Sequence, residues 1–256
     1  MVPTEQSRDA PQQPKPATAS DLILASRAQL GKVIPRRARE SFWEAAFRAR
    51  WRFPSPPAWS DWSGYSRLLV ELERNRIADV PGDVVEIGVL LGGGTYKLCK
   101  YLEREAPGKM VYAIDIFDPS FDTTACDHGQ TMAELYQGAL GDDSVAGRSQ
   151  REIFDEITRN CDNLVVLAAD SAAVELPCDR ISFAYIDGNH SAQYVRSDFE
   201  LVWAKLSPGG IVSFDDYGGN ITEVTQTLHE LIGEHAAELS RTWTVAPKTL
   251  FLQRAS

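Results

Sequence analysis

The stretch Val84–Thr95, VVEIGVLLGGGT, decides how the rest of the chain is read. Two β-branched residues lead into Glu86-Ile87-Gly88, an apolar run follows, and Gly92, Gly93 and Gly94 close it. An apolar run bounded by glycines predicts a buried parallel strand, a tight turn and the first turn of a helix that includes Thr95. Glycines at such a turn let the backbone approach a ligand closely, and the helix N-terminus that follows favours polar or anionic groups. The spacing E-x-G-x-x-x-G departs from the dinucleotide fingerprint G-x-G-x-x-G, and no Lys-Ser/Thr pair supplies a phosphate loop.

Working outward, Tyr65–Ile77 carries apolar residues at helical spacing and precedes the first strand. Downstream, buried strands are expected at 110–115, 163–167, 181–186 and 211–214, with helices at 95–104, 151–159, 192–206 and 222–239 between and after them. The tail around Ala246-Pro247-Lys248 reads as an antiparallel hairpin. Strands alternating with helices predict an α/β fold, a Rossmann-like and mainly parallel sheet covered on both faces. Upstream, residues 1–20 are Pro-, Gln-, Ser- and Thr-rich and read as a disordered tail. Residues 21–58 read as a helical extension, with Trp43, Ala46 and Phe47 on one face and Arg48, Arg50 and Arg52 nearby. It serves as packing for the main domain, as a lid or as a homodimer contact. Residues 59–256 form the main domain, in which 117–150 is a long irregular connection with the character of a lid.

The net charge of −10 argues against nonspecific nucleic-acid binding, which needs a basic field. Cys99, Cys126, Cys161 and Cys178 form no C-x-x-C pair and read as reduced thiols. No apolar run reaches the length of a membrane span, and no signal-peptide core opens the sequence, so a cytoplasmic protein is expected.

In open α/β sheets ligands bind beyond the carboxyl ends of the strands. The residues found there are Gly88 and the 92–94 turn, then Asp115, then Asp170-Ser171, then Asp187 and His190, then Asp215-Asp216. Asp115, 29 residues after Glu86, is placed to accept the hydroxyls of a ribose, or to cap the next turn. Asp170 and Ser171 could read an adenine edge or simply cap a helix. Glu86 could orient the glycine turn or the cofactor. Asp187, Asp215 and Asp216 should converge, and two like charges at ~4 Å repel by roughly 4 kcal/mol at an effective dielectric of 20. Either one carboxyl holds a proton or a cation sits among them. An all-oxygen set suits Mg²⁺, with Mn²⁺ or Ca²⁺ as alternatives, over zinc. His190 could be a general base for a hydroxyl proton, a cap or a ligand orienter. His128, His229 and His235 have weaker claims.

The E-x-G-x-x-x-G stretch resembles the first motif of class I S-adenosylmethionine (SAM) methyltransferases. D-G-N-H-S at 187–191, L-S-P-G-G at 206–210 and D-D-Y at 215–217 resemble the metal-dependent, macrocin-type sugar O-methyltransferases. The resemblance covers about residues 60–256. It implies a seven-stranded sheet of order 3-2-1-4-5-7-6 and SAM held by Glu86, Gly88, Gly92, Thr95, Asp115, Asp170, Ser171 and Asp187. It further implies Mg²⁺ held by Asp187, Asp215 and Asp216. Methyl transfer to a small hydroxylated acceptor, with His190 or Asp187 taking the proton, is then the expected activity. The alternatives are a binding or scaffold protein on the same fold, or a hydroxylase-like enzyme. The first leaves a set of mutually repelling carboxylates without a purpose, and no 2-His-1-carboxylate iron triad surrounds His190 to support the second.

Overall fold

The computed structural model describes residues 54–57, 60–61, 65–125, 129–136, 147–245 and 248–256, together with Ala45 and Ala49, which are helical. All of these lie within the unit Ser41–Ser256. The expected tail at 1–20 and most of the extension at 21–58 lie outside the described residues, as do His128 and Cys126.

The described elements run α1 (Tyr65–Arg74), a 3₁₀ turn (Ile77–Asp79), β1 (Asp83–Ile87), α2 (Gly93–Glu105), β2 (Val111–Asp115) and the single turn α3 (Met132–Glu134). Then follow α4 (Gln150–Thr158), β3 (Leu164–Ala168), β4 (Ile181–Ile186), α5 (Ala192–Trp203), β5 (Leu206–Phe214), α6 (Thr222–Glu234), β6 (Leu239–Val245) and β7 (Thr249–Arg254). The seven strands form one sheet of order β3-β2-β1-β4-β5-β7-β6, as the resemblance implies. β3, β2, β1, β4 and β5 pair in parallel, and β7 joins β5 and β6 antiparallel. The chain leaves β1 towards β2 on one side and later returns to β4 on the other. That reversal opens the crevice in which such sheets bind ligands.

The central strands are buried on both faces, which is why they read as continuous apolar runs. Val84, Val85, Ile114, Ile181, Ala184 and Val212 are fully buried. On one face Phe199 of α5 packs among Trp203 and Phe214, stacked on each at ring-centre distances of 4.9 and 6.3 Å. Burying a side chain of that size stabilises the fold by about 1.5–3 kcal/mol. The start of α4 is fixed by a reciprocal capping box between Ser149 and Glu152.

Boundaries differ from the sequence reading at several places; the first helix, expected to reach Ile77, ends at Arg74, and Ile77 opens the 3₁₀ turn. The helix expected to reach Leu206 ends at Trp203, and β5 begins at Leu206 instead of Ile211. Ser207–Gly210 bulge within the strand: Ile181 pairs with Leu206 and Phe183 with Ile211, so the expected helix-stopping turn is absorbed into the sheet. The helix expected to reach Leu239 ends at Glu234, and β6 starts at Leu239. Within 117–150, a capping box between Thr131 and Glu134 nucleates the single turn α3.

Candidate active site

Glu86 sits in the middle of β1, fully buried, paired on either side with Ala113 and Tyr185. Its Oε1 accepts the Tyr65 hydroxyl from α1. Burial pushes its pKa up to about 7, against the lowering effect of Tyr65 and Thr95. Its other oxygen and the Thr95 hydroxyl are buried without a well-formed hydrogen bond. Beyond the strand, Gly88 and Gly92 have φ of +81° and +84°, which only glycine adopts freely. At Gly93 and Gly94 the close approach is to the chain itself: a Cβ would meet the Ser60 backbone and the Tyr65 ring respectively. These two glycines therefore let the segment before the sheet pack over the turn.

Asp115 ends β2 facing this turn, as expected. Its Oδ2 accepts from the Val89 amide at 2.9 Å and Gln150 Nε2 at 3.3 Å, and its Oδ1 from the Phe117 amide at 2.6 Å. Much of its acceptor capacity thus ties β2 to the turn after β1. On the third strand's side, Asp170 accepts from the Ala172 amide and the Tyr194 hydroxyl, each at 2.9 Å. Ser171 faces Asp198, a fully buried carboxyl of α5 to which neither oxygen receives a well-formed hydrogen bond. Burial pushes the Asp198 pKa up to about 7, with Ser171 opposing in part. A Cβ on Gly188 would lie 3.5 Å from Asp198 Oδ2, so this carboxyl stands directly behind the turn after β4.

That turn carries the densest chemistry. One ligand atom each from Asp187, His190 and Asp216 lies within 4.8 Å of the other two. His190 Nε2 is 2.8 Å from Asp216 Oδ2, and its Nδ1 is 2.5 Å from Asp122 Oδ2, which also accepts the His190 amide at 3.1 Å. Burial disfavours a charged ring, but Asp122, Asp216 and Asp187 outweigh it and push the His190 pKa up to about 10. Asp122 is opposed by burial too, yet His190 and Thr124 bring it down to about 2. Asp216 Oδ1 takes the Lys248 ammonium, and His190 and Lys248 together hold Asp216 below its ordinary value despite burial. Asp215 points elsewhere: its Oδ1 accepts the Thr249 hydroxyl at 3.3 Å, and burial and the Asp216 charge push its pKa up to about 6.

So the structure gathers Asp187, Asp216 and His190, and leaves Asp215 outside that group of three. Sequence reasoning missed Asp122, Lys248, Tyr65 and Asp198. Asp122 lies in the connection without a motif, and nothing local marked it. Lys248 was visible as the lone cation in the hairpin turn, opposite the D-D-Y block. His229 instead hydrogen-bonds the Tyr217 hydroxyl at 2.9 Å, and His235 packs edge-on against Phe199. Among the described residues, four non-glycines have positive φ, and Leu90, Phe117 and Asp216 of these follow β1, β2 and β5. Bulky residues adopt that conformation at a cost, and such outliers cluster where ligands are held.

Two donor sets can be tested against ligands. The Glu86 carboxyl and Thr95 hydroxyl, which lack well-formed partners at one oxygen each, and Asp115 beside the glycine turn fit the polar groups of a nucleoside-type cofactor at the head of α2. Two carboxylates and an imidazole within 4.8 Å fit a divalent cation, since ligands 2.0–2.2 Å from a metal sit roughly 3 Å apart when at right angles.

Residues 85–217 match the family model described as a methyltransferase domain. The chain belongs to that family. A search of curated proteins gave no match. Among solved structures, this methyltransferase is similar to the O-methyltransferase NovP, at 19% identity and a TM-score of 0.54, over 73% of this chain and 80% of that one. It is also similar to the calicheamicin methyltransferase CalS11, at 15% identity and a TM-score of 0.53, over 96% of this chain and 99% of that one. At these identities the likeness shows a shared fold. No helix among the described residues is long and apolar enough to cross a membrane.

Proposed function

We propose that this methyltransferase is SAM-dependent and places a methyl group on a hydroxyl of a small acceptor, a sugar or another natural-product hydroxyl, with a divalent cation, Mg²⁺ in the first instance. The observation that carries this reading is the convergence of Asp187, His190 and Asp216 beyond β4 and β5, at the same sheet edge as the glycine turn and Asp115. The names of NovP and CalS11, an O-methyltransferase and a calicheamicin methyltransferase, agree with a hydroxylated natural product as acceptor.

When bound, SAM supplies an electrophilic methyl group and leaves as a neutral thioether, and a divalent cation lowers the pKa of a bound hydroxyl. Around them, Asp115 would accept the ribose hydroxyls, and Asp170 and Ser171 would read the adenine. Glu86, Gly88, Gly92 and Thr95 would shape the space for its amino-acid end. Asp187 and Asp216 would hold the cation, while Asp215, the third carboxylate expected there, turns to Thr249. The acceptor proton would go to Asp187, or to His190 after the ring had given up a proton among its three carboxylates. Most of the rate comes from fixing two reactants in line, since orientation alone can supply about 7–11 kcal/mol of the barrier.

The test is calorimetric titration of SAM into the full chain with and without EDTA, followed by methyl-labelled SAM with a panel of hydroxylated acceptors. SAM binding that survives chelation, with transfer that does not, is the expected pair of results. No SAM binding under either condition would remove the enzymatic reading and favour a non-catalytic role for the fold.

A further inference from the structure

We infer that Cys99 and Cys161 form a dithiol site oxidised by hydroperoxides, with Cys161 the reactive thiol and Cys99 the resolving one. The product is an intramolecular disulfide between α2 and the turn that follows α4. This site stands apart from the sheet edge and does not depend on the methyl-transfer reading.

Packing brings the pair together. The turn after α4 is pinned along α2 at both of its ends. The Lys100 ammonium donates to the Asn160 carbonyl, and Asn163 Nδ2 donates to the Cys99 carbonyl at 3.2 Å. Cys161 lies between these anchors, its amide bonded to the Thr158 carbonyl at 2.8 Å. The two sulfurs consequently meet, and the Cys99 S–H donates a hydrogen bond to the Cys161 sulfur. Both are free thiols, Cys99 fully buried and Cys161 half-buried, so an oxidant from solvent reaches Cys161 first.

The surroundings separate the two roles. The hydrogen bond from Cys99 and the Lys100 ammonium hold the Cys161 thiol below its ordinary pKa, against burial and the Glu103 and Asp162 carboxylates. The same hydrogen bond, burial and the charges of Glu86 and Glu103 push Cys99 well above its own. Tyr96, whose ring centre lies 5.9 Å from Lys100 Nζ, completes the set of titratable groups around Cys161. A partly exposed sulfur with thiolate character beside a protonated second thiol is the arrangement of a redox-sensing cysteine. Cys178 is the contrast: it is buried in the main core, and burial pushes its thiol up.

The oxidant is a hydroperoxide, hydrogen peroxide in the simplest case. The Cys161 thiolate attacks one peroxide oxygen and the O–O bond breaks. The departing hydroxide or alkoxide takes up the proton that Cys161 had released, leaving a sulfenic acid on Cys161. The Cys99 sulfur then attacks the Cys161 sulfur, the S–S bond forms, the S–O bond breaks, and the Cys99 proton leaves with the hydroxide as water. Two thiols lose two electrons and one peroxide gains them. The bond ties α2, whose first turn carries Gly93 and Gly94, to the end of α4, the helix whose Phe154 and Thr158 pack on Gly92. Because the sulfurs already meet, the cross-link chiefly restricts the unfolded chain.

The experiment is titration of the full chain with hydrogen peroxide, followed by alkylation, peptide mapping without reductant and thermal unfolding. Expected are a Cys99–Cys161 cross-linked peptide, its reversal by dithiothreitol, and a thermal midpoint above that of the reduced protein. Iodoacetamide should label Cys161 at least about tenfold faster than Cys178 in the reduced protein. Cys99→Ser should stop at the first step, with dimedone trapping a sulfenic acid on Cys161. A disulfide that maps to Cys126 or Cys178, or one that joins two chains, would overturn the inference. So would an oxidised protein that melts below the reduced one, because the bond would then strain the packing. Equal labelling of Cys161 and Cys178 would remove the role given to Cys161. The wild-type peptide map is decisive even where a variant fails to fold.

Discussion

Replacing Asp198 by Asn should stabilise the protein, and increasingly so as pH rises. The carboxyl is fully buried behind the turn after β4, and its pKa is pushed up to about 7. An unfolded Asp titrates near 3.9. Below that value the carboxyl is neutral in both states and has no differential effect. Between there and pH 7 the unfolded state ionises while the folded state keeps its proton, so stability falls as pH rises. Above pH 7 both states are ionised and the cost levels off at roughly three pKa units, about 4 kcal/mol at 1.36 kcal/mol per unit. By pH 5 only a minor part of it has been incurred, so most of it, about 3 kcal/mol, separates pH 5 from pH 8. Asn matches the carboxyl in shape but carries no charge, so Asp198→Asn escapes this pH-dependent cost. Urea unfolding of both proteins at pH 5, 6, 7 and 8 measures it, the stability gap between variant and wild type widening by about 3 kcal/mol over that range. Thermal midpoints should diverge in parallel, by about 2–4 °C per kcal/mol for a chain of this size. A gap that is constant with pH would refute the reasoning, because it would place the Asp198 charge in contact with water or with a partner.

Gly94→Ala should destabilise the fold by about 1–3 kcal/mol, because its Cβ enters the space of the Tyr65 ring; denaturant unfolding measures it. Tyr65→Phe removes the hydroxyl that Glu86 Oε1 accepts and leaves that buried oxygen without its donor, a loss of about 1–3 kcal/mol by the same assay. Asp216→Asn should abolish cation-dependent methyl transfer while SAM affinity by calorimetry changes little, since its contacts are with His190 and Lys248. Asp115→Asn should weaken SAM binding by about tenfold or more, the equivalent of one charged hydrogen bond, with unfolding curves run beside it because the Val89 and Phe117 amides lose a charged acceptor as well.

Periodicity and punctuation determined the architecture. Buried parallel strands are apolar throughout, so β2, β3 and β4 were legible to within a residue, and β1, expected over Val84–Val89, to within two. Glycine at 88 and 92 announced the turn because positive φ excludes most other residues. Because every parallel strand delivers its carboxyl end to one edge, the residues after each strand could be read as one list before any contact was known. Where the sequence misled, tertiary pairing had overridden a local signal: Ser207–Gly210 carry turn residues, yet the chain passes through them as a bulge because both sides pair with β4.

What only the tertiary structure decided is which members of that list touch. Asp215 and Asp216 are adjacent in sequence, but the positive φ of Asp216 sends the chain one way at that residue and their side chains part, one to Thr249 and the other to His190 and Lys248. Asp122 and His190 are 68 residues apart, and Asp216 and Lys248 are 32 apart, separations at which no periodicity operates. The close packing of Gly93 on Ser60 and of Gly94 on Tyr65 was hidden for the same reason. Residue types and spacing fix which chemistry a sheet edge can hold, because they act through local backbone geometry. The protonation of His190 and Asp198, and the choice of donors around a cation, depend on burial and on charges brought in from distant segments. Those exist only once the chain has folded.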